Sequence, residues 1–261
     1  METGALDELA EGRVILGIGS GIGARVRATG LAYDRPVGVV RDTIAIVRRL
    51  LRGEEISHSG KVFSAHGVKL DYRPRRAEVP IFMAAMGDQA LRLCGEIADG
   101  LMVSNMCAPG STERAIGLVR EAAAAAGRAA PAHVVQYVPC TVRDDGDAER
   151  RAARSQIGPM LLHYWRDGGG APAVRAAHLE HTGIDAADFA RAMECLAAGA
   201  AASDALDDRF VHAYAIAGTV DECLEQCVVY RRAGVTELGL WFAGEQPEAD
   251  MERVGRAAGL A

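Results

Sequence analysis

Residues 79–105, VPIFMAAMGDQALRLCGEIADGLMVSN, decide the fold class of this chain. They read as strand, glycine turn, helix, strand. Ile81, Phe82, Met83 and Ala84 form a short apolar run behind Pro80, suited to a buried strand. Gly87 permits a tight turn with an unusual backbone angle. Asp88 can cap a helix whose apolar positions Ala90, Leu93, Cys94 and Ile97 share a face. Gly100 ends that helix, and residues 101–103 make the next buried strand. Amides at a helix start have no internal partner and lie at the positive end of the helix dipole. The turn over Ala84, Ala85, Met86, Gly87, Asp88, Gln89 and Ala90 is therefore a candidate anion site, suited to a phosphate. An ordinary strand–helix turn has the same signature. Asp88 opposes a bound anion, because two negative charges there repel. Its carboxylate either turns outward as a cap or occupies the site itself.

The same rhythm recurs along the chain. Residues 14–18, in GRVILGIGSG, make a strand that ends in glycines, and a helix follows over 34–53 with Pro36 in its first turn and Val40, Ile44, Val47 and Leu51 on one face. Residues 61–72 carry VF and VKL on either side of Ala65-His66-Gly67 and predict a surface hairpin. A helix over 111–127 and a long strand over 134–142 come after the central stretch. Residues 144–209 then break the pattern with a polar, helical excursion, GGG at 168–170 and a second helix at 185–198. An insertion of that length between strand–helix units predicts a cap over a site. Thr219-Val220-Asp221-Glu222 is a capping box, and its helix turns Val220, Leu224, Cys227 and Val228 inward. A last strand over 237–242 and a closing helix marked by Met251, Val254 and Ala258 complete the chain. Strands alternating with helices imply a parallel sheet with right-handed crossovers, and so an α/β fold of (β/α)8 type, partial or rearranged. No linker divides residues 1–261, which read as one domain with the 144–209 cap inserted. In such folds chemistry sits in the loops after the strands.

The 261 residues suffice for a large buried core, and 49% of them are apolar. The net charge of −6 argues against a nucleic-acid partner. No leading segment has the basic end, apolar core and cleavage site of a signal peptide, and no apolar run reaches the ~18 residues of a membrane span, so a cytoplasmic protein is expected. The six cysteines, at 94, 107, 140, 195, 223 and 227, include no C-x-x-C pair and read as reduced thiols. Cys223 and Cys227 are one helical turn apart, a core stripe rather than half of a metal site. His178 and His181 read as a solvated helix face, and His163, Tyr164 and Trp165 as packing of the cap. Arg13 is expected to pair with Asp7 or Glu8, and Asp99-Gly100 to close a helix onto a strand. No G-x-S-x-G elbow or Walker loop is present.

Three segments in order, GR-x-I-L-G-x-G-S-G, PIFMAAMGDQALRLCGEIADGLMVSN and IAGTVDECLEQCVVYRRAGVTELGL, resemble the bacterial luciferase-like monooxygenase superfamily. The likeness is closest to its deazaflavin-dependent branch, which includes methylenetetrahydromethanopterin reductase-like proteins, and it covers almost the whole chain. The resemblance implies a (β/α)8 barrel with insertions that binds coenzyme F420, or alternatively FMN, at its C-terminal mouth. It implies that the loop of Gly19, Ser20 and Gly21 lies beside the cofactor ring or its sugar-alcohol chain, where small residues let a flat ring approach the backbone. Ser104 and Asn105, with Cys107 behind them, would face the ring's carbonyl edge or a substrate; a helix-capping loop is the plainer alternative. Ile22 stands where some relatives have an acid, which speaks against sugar-phosphate oxidation. Family members have roughly three strand–helix units before the glycine segment, whereas here it begins at Gly12. The chain would then supply roughly units four to eight and leave two strand edges open. Either the start lies upstream, the chain is a fragment, or a second copy, a partner chain or a rearranged pairing covers them. The expected activity is hydride transfer between a deazaflavin or FMN and a small organic substrate. The alternative is a non-catalytic or partner-dependent subunit of the same fold. An isomerase or aldolase barrel would need a Lys or paired Glu at strand ends.

Overall fold

A computed structural model describes residues 1–142, 144–168, 179–242 and 246–260. They fall into two units, Met1–Met102 with Leu118–His133, and Val103–Gly117 with Val134–Ala261.

The first unit begins with α1 (Glu2–Leu9), β1 (Leu16–Gly19), α2 (Gly23–Ala28) and α3 (Pro36–Leu51). The hairpin β2 (Ile56–Ser59) and β3 (Ser64–Val68) follows, then β4 (Ile81–Ala84), α4 (Asp88–Ile97) and β5 (Gly100–Val103). The far half of α5 (Pro109–Ala125) also belongs to it. β4 lies between β1 and β5 and is parallel to both, with Leu16 opposite Ile81, Gly19 opposite Ala84, and Phe82 opposite Gly100. The strand–turn–helix–strand reading of the central stretch is thus realised. α3 buries Val40, Ile44 and Leu51, the face its periodicity predicts.

Asp99 fixes the geometry of this layer. Its amide donates to the Ile81 carbonyl at 2.8 Å, and its Oδ2 accepts from the Ile81 amide at 2.9 Å and from Arg48 at 2.6 Å. Next to it, a Cβ on Gly100 would stand 2.4 Å from the Phe82 ring, so only glycine lets β5 start this close to β4. The structural role expected for the pair is the one observed.

The hairpin differs from expectation. It spans 56–68 and turns at 60–63, not around Gly67. The buried Asp42 carboxylate accepts the amides of Val62 (2.7 Å) and Phe63 (3.0 Å) and meets His58 Nε2 at 3.3 Å, which pins the turn earlier in the chain. Gly67, with φ +62°, sits instead at the register irregularity of β3, where a bulge uses its freedom. Arg13 is also reassigned. It donates to the Ala10 carbonyl, while the buried Asp7 takes a two-pronged contact from Arg76 and accepts the Val14 amide.

The second unit holds the near half of α5, then β6 (His133–Val142) and α6 (Gly146–His163), which runs on into a π-helical turn (Tyr164–Gly168). After it come α7 (Ala186–Ala197), α8 (Ala202–Ala205), α9 (Asp208–Tyr214), β7 (Ile216–Gly218), α10 (Val220–Arg232), β8 (Glu237–Phe242) and α11 (Pro247–Ala257). β6 pairs in parallel with β7 and with β8. β7 is a strand the sequence does not announce, because IAG is too short to show alternation. The 144–209 stretch is less polar in its packing than in its composition: its Ile157, Leu161, Phe189 and Met193 join Phe210, Val211 and Tyr214, just beyond it, in a buried cluster, with the Trp165 ring tilted against Phe189 at 5.3 Å. Residues 169–170 of the GGG run and His178 lie outside the described residues. His181 sits in a turn with φ +62°, not on a helix face. α10 carries its complete capping box but buries Cys223 and Tyr230 most deeply, and α11 buries Asp250 and Val254 while Met251 is 56% exposed.

Asp7 makes the first unit sensitive to acid. Its arginine partner and the Val14 amide hold its carboxyl below the ordinary 3.8. The carboxylate's contribution is therefore complete above that value and is lost as pH falls through the lowered one. Arg76→Ala leaves the carboxylate buried without its partner, and urea unfolding at pH 7 should show a loss of about 3 kcal/mol. That deficit should shrink as unfolding is repeated at progressively lower pH below 3.8.

Candidate functional site

In the first unit the parallel register sets Gly19 beside Ala84, so the ends of β1 and β4 deliver two of the sequence-predicted segments to one place. A Cβ on Gly19 would lie 3.0 Å from the Ala84 Cβ, which explains that glycine by strand spacing. Gly21 has φ +71° and is explained by its backbone. Ser20 and Gly21 are held by a residue that sequence reasoning passes over. The Tyr33 hydroxyl donates to the Gly21 carbonyl at 2.9 Å and lies 3.0 Å from Ser20 Oγ. A lone tyrosine in a loop before a helix carries no spacing signal that would have exposed this.

Beyond β4, Ala85 is buried and its amide donates to the Met102 carbonyl at 3.4 Å, so that amide serves the sheet. Met86 is half-buried, and Ala84, Gly87, Asp88 and Gln89 are exposed. The N-cap of α4 is Gly87, not Asp88, which is the first helical residue. Gly87 has φ −80° and ψ 153°, an extended conformation open to any residue, and a Cβ there would meet nothing within 4 Å. Neither strain nor packing calls for glycine at this position. What the missing side chain does is leave the first turn of α4 uncovered. Leu91 makes the first helical bond, to the Gly87 carbonyl, and the amides of Gln89 and Ala90 precede it at the positive end of the helix. These residues fit an anionic phosphate arm: an exposed turn with no side chain at Gly87, at the positive end of a helix.

In the second unit, Ser104 and Asn105 are half-buried. The Ser104 hydroxyl accepts the Met106 amide at 3.4 Å and donates to Asn105 Oδ1 at 3.4 Å, and Asn105 Oδ1 accepts from the Tyr164 hydroxyl at 3.5 Å, where α6 opens into its π turn. The loop is thus both a local turn and a polar group tied to the end of α6. Burial pushes the Cys107 thiol up to about 12, so it is protonated at neutral pH and no nucleophile. Among the described residues no three His, Cys, Asp or Glu side chains converge on a metal position, and no helix is long and apolar enough to cross a membrane.

The profile of the family described as luciferase-like monooxygenase matches residues 1–237. The chain belongs to the luciferase-like monooxygenase family. It is 28% identical over 242 residues to the 5,10-methylenetetrahydromethanopterin reductase of Archaeoglobus fulgidus, an alignment that takes in 90% of this chain and 69% of the reductase. The solved coenzyme F420 dependent tetrahydromethanopterin reductase from Methanopyrus kandleri superposes with a TM-score of 0.80 at 24% identity, over 97% of this chain and 76% of that one. An F420-dependent secondary alcohol dehydrogenase in complex with an F420–acetone adduct gives a TM-score of 0.70 at 19% identity, over 97% and 70%. At such identities the structural likeness establishes the fold: parallel strands and helices of the luciferase-like barrel type.

The contrast among glycines is open to test. Gly87→Ala should change stability by less than about 1 kcal/mol, because its Cβ would meet nothing and the lost N-cap preference is offset by the less flexible unfolded chain. Gly95→Ala in α4 should cost about 2 kcal/mol, because its Cβ would meet the Val119 carbonyl oxygen at 2.3 Å. Equal destabilisation by both would refute the assignment of Gly87 to ligand access.

Proposed function

We propose that this chain is an oxidoreductase that binds a planar redox cofactor, coenzyme F420 ahead of FMN, for hydride exchange with a small organic substrate. The observation that carries this is Gly87, a glycine the fold does not need, opening the amide end of α4 beside the glycine-bounded end of β1. F420 is preferred to FMN because the two solved relatives described above name it. When bound, the cofactor supplies hydride transfer. The chain's own residues hold and orient. The amides of Gln89 and Ala90 take the anionic arm. Gly19 and Gly21 keep the β1 end free of side chains, with Tyr33 holding that turn rigid, so a ring can lie flat against backbone. Within the second unit, Ser104 and Asn105 present hydroxyl and amide groups, braced by Tyr164, and a buried aromatic cluster gives that unit a firm core.

A second reading, a partner-dependent subunit, is favoured by one observation. Among the described residues, β1 pairs only with β4, and β8 only with β6. Along β8 runs an apolar groove of about 380 Å³ that includes Tyr137, Trp241 and Met251. Open edges of this kind are covered in working proteins, by a second copy or by another chain.

Titration of the purified protein with F420 and with FMN, followed by absorbance and fluorescence, separates the two. Saturable binding of F420 supports the enzyme, and Gly87→Asp should weaken it at least about tenfold by placing a second anion at the site, without lowering the melting temperature. Protein that takes up neither cofactor until a partner chain is added supports the subunit.

A further inference from the structure

The cations of the first unit are not distributed evenly. From Arg41 to Arg76, six arginines, Arg41, Arg48, Arg49, Arg52, Arg75 and Arg76, face a carboxylate, those of Glu96, Asp99, Glu54, Glu78, Glu8 and Asp7, while Arg73 has none among the described residues. Between Val14 and Val40 the chain carries Arg25, Arg27 and Arg35 against a single acid, Asp34. Arg35 donates to the Lys61 carbonyl. Arg25 and Arg27, both exposed on α2, have no carboxylate partner among the described residues. Even so, Arg27 is held in place. Its guanidinium lies 5.9 Å from the centre of the Tyr33 ring, and its Nη1 is 3.4 Å from the position a Cβ on Gly23 would take. The same Tyr33 donates to the Gly21 carbonyl, so one tyrosine ties this cation to the turn that ends β1. Stacking on an aromatic face lowers the freedom Arg27 must lose on meeting an anion, and Gly23 leaves the space it folds into.

The phosphate cradle lies at the end of β4, the register neighbour of β1, and α2 begins just past the β1 end. A ligand whose phosphate sits at Gly87 and whose anionic chain continues past Gly21 would meet two cations with no carboxylate partner among the described residues. FMN ends at its phosphate. A deazaflavin of the F420 type continues beyond its phosphodiester into glutamate units, each with a carboxylate. We propose that Arg25 and Arg27 recognise the carboxylates of that oligoglutamate tail, with Tyr33 positioning Arg27, an inference that rests on the cofactor reading above. Exposed arginines hold such a chain by charge and by paired N–H donors, so the contact is sensitive to salt.

Fluorescence titrations of the full-length protein with two ligands test this: F420 bearing several glutamates, and its glutamate-free phospholactyl form. At low salt the wild type should bind the glutamylated form about fivefold to tenfold more tightly, and the gap should close as salt rises. The double variant Arg25→Ala/Arg27→Ala should abolish the gap while leaving the glutamate-free form at its wild-type affinity. Arg25→Lys/Arg27→Lys should keep most of it, because the charge remains. Tyr33→Leu should lose part of it through Arg27. Equal binding of both ligands by the wild type, or a gap that survives the alanine pair, overturns tail recognition and leaves the cofactor site standing. Binding of neither form overturns the cofactor site itself, and this inference with it.

Discussion

One aspartate sets the height of the candidate site. Asp99 grips Ile81 twice, amide to carbonyl and carboxylate to amide, at the point where β4 begins. The carboxylate also takes Arg48 at 2.6 Å and has Arg128 at 3.7 Å, so its own charge is compensated as it works. β4 is only four residues long and α4 only ten. In elements this short, a fixed start fixes the far end as well. The lateral limit is set by Gly100 against Phe82 and by Gly95 against the Val119 carbonyl, two contacts at which a methyl group would not fit. The turn at Gly87 thus emerges at a position over-determined by packing behind it, while nothing in front of it is packed at all. A binding site needs that combination: precise placement from the scaffold and an open face toward the ligand.

The central layer was legible because its signals are local. An apolar run, a glycine, a helical stripe and a second apolar run each act within a few residues, and their order survives in the structure. What escaped was decided across longer separations. Asp42 moved the hairpin turn by catching the amides of Val62 and Phe63, some 20 residues away, and Gly67 then served a bulge. Asp7 found Arg76, 69 positions on, in place of nearby Arg13. β7 has three residues and needs β6 beside it to be a strand. The site followed the same division. The glycines and the Gly87–Ala90 turn announce themselves by spacing, whereas Tyr33 and Tyr164, which brace the two loops, carry no pattern and are known only by what they touch. The polar look of residues 144–209 concealed a core, because surface residues outnumber the few aromatics that pack inside.

Charge in the first unit is only partly compensated: Arg73 and Arg92, like Arg25 and Arg27, are exposed without a carboxylate partner among the described residues. The arginines of α3, with Arg75 and Arg76 before β4, are answered by carboxylates, most of them partly solvated and so worth little singly. Pairing of this kind tunes solubility and register more than stability. The two exposed arginines of α2 follow the end of β1, the register neighbour of β4.

Glycine, finally, is informative only when its internal reasons have been exhausted. Gly19 is required by the spacing of β1 and β4, Gly21 by its positive φ, Gly95 and Gly100 by atoms within 2.5 Å of an absent methyl. Each would be present in this fold whether or not anything bound. Gly87 has none of these reasons: its backbone is extended, its surroundings are empty, and in an unfolded chain glycine carries more entropy to lose than any alternative. Gly117 and Gly255 are equally unhindered, but Gly87 caps a helix, and there glycine leaves the start of α4 without a side chain at the end that favours negative charge.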